Sequence, residues 1–190
     1  MQYIILKKLS LITAVFFLLI MTGCIPQSDN PLTDPRKQPI DASLFGTWFW
    51  RDNNEIGYLH FGLDQASNLL RVMMIVLKGN GNLEVSEFTG HTSALGHSKY
   101  LNLKQVRPVS NITGYIFVKY KVMDNSLGIS LPTSEVYEQA IKNGLLNGII
   151  EKGIFRISEN PQGLRRFIIK NDKDLFKDMK YLQRVPAHGS

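Results

Sequence analysis

The chain has 190 residues, 44% of them hydrophobic and 20% charged, with a net charge of +6. That balance excludes disorder as the state of the whole and supplies enough apolar residues for one core. A single cysteine, Cys24, excludes an internal disulfide, a zinc–thiolate cluster and a paired-cysteine redox site.

Lys7 and Lys8 precede an apolar run from Leu11 to Ile20, and small residues then lead to Cys24. Positive, then apolar, then small is the order of a secretory signal peptide, and about ten apolar residues fall short of the roughly 20 that span a bilayer. The run Ile20-Met21-Thr22-Gly23-Cys24 resembles the signal of bacterial lipoproteins, with Met21 where Leu is usual. The resemblance implies that residues 1–23 are removed on export and that Cys24 receives a diacylglycerol and becomes the new N-terminus. Two or more acyl chains hold stably where one holds marginally. In such proteins an Asp after the cysteine favours the inner membrane; Ile25 stands there, which implies the outer membrane and a periplasmic face.

Residues 24–40 follow, with Pro26, Pro31, Pro35 and Pro39 among Ser, Asp, Asn, Gln and Lys. Such composition predicts an extended tether that holds the body off the bilayer. The body is residues 41–185, and 186–190 are a tail. Loss of Lys7 and Lys8 takes the net charge from +6 to +4, spread among acids, which reads as a solvated surface.

Extended runs come first. Thr47 to Trp50 and Ile56 to Phe61 are followed by Leu69 to Leu77, an almost unbroken apolar stretch read as a central strand. Lys78-Gly79-Asn80-Gly81-Asn82 is a hairpin signal, and Leu83 to Phe88 is its returning strand. Tyr100 to Leu103, Tyr115 to Val122 and Leu127 to Leu131 add three more. Pro132-Thr133-Ser134-Glu135 opens a helix with a hydroxyl cap, and Asn143-Gly144 closes it. Two short strands, Leu146 to Ile150 and Gly153 to Ser158, precede a second helix that starts at Asn160-Pro161 and ends near Lys170-Asn171. Tyr181 to Val185 is the closing strand. The class is mainly β with two short helices, an α+β tendency. Either an antiparallel barrel or a curved antiparallel sheet backed by the helices would satisfy it.

Leu44-Phe45-Gly46-Thr47-Trp48 is similar to the Gly-x-Trp signature of lipocalins and their relatives. The resemblance implies a barrel in which Trp48, after Gly46, plugs one end while Arg184 on the last strand lies across it. A helix with two strands after it, before the last strand, departs from the lipocalin order of eight strands and then one helix. The overall pattern also resembles small bacterial lipoproteins, a likeness that implies no activity. In a barrel, Phe49, Met73, Tyr115 and Phe117 are the candidates to line a site for a small apolar ligand; otherwise they are core. Met74, as the neighbour of Met73, must face the other way.

Signals for chemistry are absent. His60, His91, His97 and His188 form no metal-binding pair by spacing, and no phosphate loop or Gly-x-Ser-x-Gly occurs. Gly90 to His97 is read as a polar loop in which His91 or His97 could in principle serve Ser93 as a base. No catalytic residue, metal or cofactor is assigned, and basic and aromatic residues are not interleaved as nucleic acid requires. The partners expected are the membrane, through the lipid, and a small apolar ligand or another envelope protein.

Overall fold

The computed structural model describes residues 25–52, 54–108, 113–151 and 154–186. The leader, Cys24 and tail residues 187–190 lie outside them. The described chain opens with a two-residue strand, β1 (Gln27–Ser28), and makes two 3-10 turns before β2 (Gly46–Asp52). An antiparallel meander follows: β3 (Glu55–Asp64), β4 (Leu69–Lys78), β5 (Leu83–Leu95), β6 (Ser98–Gln105), β7 (Tyr115–Met123) and β8 (Ser126–Ser130). Helix α1 (Ser134–Lys142), strands β9 (Gly148–Glu151) and β10 (Ile154–Ile157) and helix α2 (Pro161–Leu175) intervene before β11 (Lys180–Arg184).

Strand β11 lies between β8 and β2, antiparallel to both. With the β6–β7 pairing, this closes β2 to β8 and β11 into an eight-stranded antiparallel barrel. Of the two architectures the sequence allows, the barrel is the one formed. The turns follow residue chemistry. Gly81, at φ +83°, lets the β4–β5 connection close, with its N–H on the Lys78 carbonyl and the Lys78 N–H on Asn82. The run from Gly90 is not a loop: β5 continues through Leu95, and only Gly96, at φ +59°, and His97 turn the chain. Its polar residues misled because they are buried by another segment and not by solvent-facing design.

Alternation divides the side chains into two cores. Trp48, Phe61, Leu70, Val72, Leu101, Leu103, Val118, Tyr120, Leu127 and Leu182 fill the barrel, with Leu44 at one end. Leu95, Tyr100 and Phe117 point the opposite way, off β5, β6 and β7, and are covered by Tyr137 and Ala140 of α1 and Leu164, Ile168 and Leu175 of α2. Helix α2 starts as its sequence demands, with the Asn160 side chain accepting from the Gly163 N–H at 2.9 Å and Pro161 in the first turn. It runs a turn past the expected stop at Asn171, because Leu175 is buried and Asp172 accepts from Tyr100 and Lys119. Thr133 caps α1 by position, but its hydroxyl makes no capping bond.

The tether is the main correction. Residues 25–40 lie on the barrel, with Ser28 and Leu32 fully buried. Ser28 pairs with Tyr115 of β7, and β1 also pairs, in parallel, with β10. Average composition could not reveal this, because one buried Leu and a series of backbone hydrogen bonds offset the ordering entropy.

Trp50 lies against Gly57, its partner across β2 and β3, so closely that a methyl group there would overlap the indole. Gly57→Ala should therefore destabilise the fold by about 1–3 kcal/mol through overpacking. A thermal melt should show Tm lowered by several degrees; an unchanged Tm would mean that Trp50 is free to move aside.

Candidate functional site

One end of the barrel is closed by the residues that the Gly-x-Trp likeness singles out. The Trp48 indole N–H donates to the Leu44 carbonyl at 2.8 Å, which turns the ring into the barrel. The Arg184 guanidinium stands 4.1 Å over that ring and donates to the carbonyls of Phe45 at 2.8 Å and Ser43 at 2.7 Å. Gly46 is at φ +113°, and a Cβ there would come within 3.2 Å of the Arg184 guanidinium. Asp41 sits at the same mouth, accepting from Lys99 at 2.8 Å, Tyr120 at 3.0 Å and Ser43. Partial burial opposes its ionisation, but these donors outweigh that and hold the carboxyl at about 2.

The four lining candidates are not in the barrel interior. Trp48 points inward, so its neighbour Phe49 points out, where its ring meets Tyr58 at 5.3 Å. Val72 is inside, and Met73 is therefore outside and 39% exposed. Tyr115 and Phe117 also face outward, into the core beneath the helices. Tyr115 carries Lys104 over its ring at 5.5 Å. The error is one of phase: a strand with apolar residues on both faces does not say which set is inner.

The polar run on β5 serves a different purpose from the one first imagined. Asn102, fully buried on β6, accepts the Leu32 N–H at 2.7 Å and donates to the Ser93 hydroxyl at 2.8 Å. That hydroxyl lies 2.6 Å from Thr33 Oγ1. His91 Nε2 is 2.9 Å from the Thr33 carbonyl and so carries the proton, and Thr92 donates to Pro39 at 3.0 Å. Arg165 of α2 donates to the Leu32 carbonyl from the other side. Ser93 and His91 thus bind the N-terminal segment separately, an arrangement that latches a chain and does not activate a nucleophile. Burial holds His91 below its ordinary pKa, against the opposing influence of the Thr33 carbonyl and Asp34. Among the described residues, no group of three or more His, Cys, Asp or Glu could hold a metal ion, and no helix is long and apolar enough to cross a membrane.

Two surface features remain. Between α1 and α2 runs a groove of about 660 Å³, floored by Val136, Ala140 and Phe167 and rimmed by Arg166, Lys170 and Asp174. On the outer wall of β2 to β5, register aligns Phe49, Tyr58, Ile75 and Val85 in one row across four strands. Ile56, Leu77 and Leu83 form the next row. Val85 and Leu83 are 59% and 63% exposed, and no described element covers either row. The unbroken run Leu69 to Leu77 was the sequence signal for this wall, since its outward half had to be covered by something or left bare. Nothing in the sequence pointed to Asn102.

Comparison with protein-family models, with curated proteins and with solved structures finds no match to this chain.

Asn102→Ala should cost about 1–3 kcal/mol by leaving the Leu32 N–H without a partner. Hydrogen exchange should then show the Leu32 amide losing protection while amides of β4 keep theirs. Equal loss in both would mean that the segment and the barrel are one cooperative unit. Because His91 takes up a proton less readily when folded, its contribution is complete above about pH 6.5 and is lost as the pH falls through its depressed folded pKa. Urea midpoints should drop between about pH 7 and about pH 5, and drop less in His91→Gln; identical profiles would show that another group carries the dependence.

Proposed function

We propose that this chain is a cell-envelope lipoprotein, held through an acylated Cys24 in the outer membrane on its periplasmic side. Its barrel is a non-catalytic module that docks another envelope protein. The observation that carries the docking is the bare wall of Phe49, Tyr58, Ile75, Val85 and the adjacent row. A contiguous apolar patch of that kind is uncommon on an isolated soluble domain and marks an interaction surface. The interior argues the same way. An eight-stranded barrel is just wide enough for side chains, and here Trp48, Phe61, Leu101 and their neighbours occupy it.

A second reading keeps a small apolar ligand but moves it out of the barrel. The interhelical groove has a volume within the range of ligand sites, an apolar floor, and Arg166 and Lys170 at the rim for an anionic headgroup. The wall is the stronger feature, because it is apolar across seven residues while the groove is open and mixed in charge.

Cys24→Ser should move the protein from the membrane to the soluble fraction on cell fractionation; a variant that stays with membranes would defeat the lipoprotein reading. A photo-reactive residue in place of Val85 should give, in cells, one discrete adduct of higher mass that Ile75→Glu abolishes. Absence of any adduct from the folded protein would defeat docking at this wall, and an adduct of twice the mass would reassign it to self-association.

A further inference from the structure

The N-terminal latch determines how the barrel meets the membrane, given the lipoprotein reading on which this inference rests. A free tether of residues 25–40 could hold the body about 55 Å from the lipid. Ser28, however, is fully buried and paired with Tyr115. Cys24 precedes it by four residues, whose greatest reach is about 14 Å. The anchor therefore leaves from a fixed point on the barrel wall.

That point can be located from register. Strands β1 and β8 take successive stretches of one edge of β7, Ser28 opposite Tyr115 and Ser130 opposite Lys119. Those positions are about 13 Å apart at the rise of a strand. The chain before Ser28 and the chain after Ser130 share this gap. Ile25 is 43% exposed there, and Leu131 is 51% exposed. On the adjoining strand Tyr181 stands opposite Gly128, which in turn faces Lys121, and all three point outward. Tyr181 is 55% exposed and Lys121 is exposed. Apolar residues, a tyrosine and a lysine are the composition that seats protein at a lipid headgroup surface.

We propose that the β7–β8–β11 wall is seated on the bilayer, with Ile25, Leu131 and Tyr181 at the lipid surface and Lys121 among the headgroups. The bare wall of β3 and β4 is then turned away from the lipid. In the ring of eight, β4 is four strands from β8 in either direction. Four strand spacings are about 19 Å of wall before side chains are added, more than the anchor can reach around. The two apolar surfaces thus have different occupants: lipid on the anchored side and protein on the far side.

The test uses the full acylated chain in vesicles of phosphatidylethanolamine and phosphatidylglycerol carrying nitroxide-labelled lipid. With Cys24 acylated, a second cysteine can be labelled alone. A fluorophore on Leu131→Cys should be quenched several-fold more strongly than one on Met73→Cys, which lies on the outer face of β4. Both positions are exposed, so neither substitution threatens the fold. Equal quenching, no quenching at either position, or stronger quenching at Met73→Cys would overturn the seating. The anchor itself is read separately by flotation. If Cys24→Ser floats with the vesicles as the acylated chain does, the lipoprotein reading fails; if it is released while Leu131→Cys stays unquenched, only the seating fails.

Discussion

The barrel depends on its thinnest seam. Along β2 and β3 the register pairs every residue from Gly46 to Asp52, whereas β11 meets β2 only at Gln183 with Phe49 and Arg184 with Trp48. A seam that short holds few ladder hydrogen bonds, and β11 reaches it after the long insertion that follows β8. Arg184 compensates. Its backbone N–H donates to Asn125, its guanidinium covers Trp48, and two of its nitrogens satisfy the Phe45 and Ser43 carbonyls. The donors are charged and the ring is buried, so each contact is stronger than a neutral one at the surface. One side chain thereby joins the last strand, the first barrel strand and the turn that closes the mouth. Gly46 is part of the same device, because any side chain there would press on the guanidinium.

The N-terminal segment is held by the opposite strategy, with many small polar contacts replacing a single large one. Leu32 supplies the apolar burial, worth about 1.5–3 kcal/mol. Asn102, Ser93, His91 and Thr92 supply partners for its backbone and for Thr33 and Pro39. Each of those groups would be costly to leave unmatched in the interior, so the cluster favours one register of the segment over all others. Asn30 and Arg156 extend the attachment to the insertion, donating to the Glu159 carbonyl and to Asp29. Barrel, segment and insertion are consequently one packed body, and the latch sets the geometry of anything attached upstream of Ser28.

What the sequence revealed follows from the range of the interactions involved. Strands with turn chemistry between them were legible: the Gly/Asn cluster after Lys78 turns where it should, and Asn160-Pro161 starts α2. So was the closure by Gly46, Trp48 and Arg184 as a pattern, because resemblance carries long-range information that periodicity lacks. The interior set was not legible. Both phases of Leu69 to Leu77 and of Tyr115 to Val122 are apolar, and choosing between them requires knowing that helices cover β5 to β7 while nothing described covers β3 and β4. The end of α2 was hidden for a related reason, since Asp172 is held by Tyr100 and Lys119 from strands far away in sequence. The latch was hidden most completely: a Pro-rich polar run looks the same whether or not an Asn on a distant strand awaits it.

The same double apolar phase explains why the outside of this barrel matters more than its inside. In an antiparallel sheet with one wet face, alternation should leave polar residues outward. On β6 and β7 the outward apolar residues are accounted for, because Tyr100 and Phe117 lie under α1 and α2. On β3, β4 and β5 they are not: Tyr58, Ile75 and Val85 stand side by side with no described element above them. Chance exposure would scatter such residues; register has aligned them. The interior is meanwhile filled by Trp48 and its neighbours, and the latch has drawn the anchor to the opposite wall. A barrel so arranged is a rigid support with two working faces, and the wall that its own chain leaves bare is the one that remains accessible when the other is against the membrane.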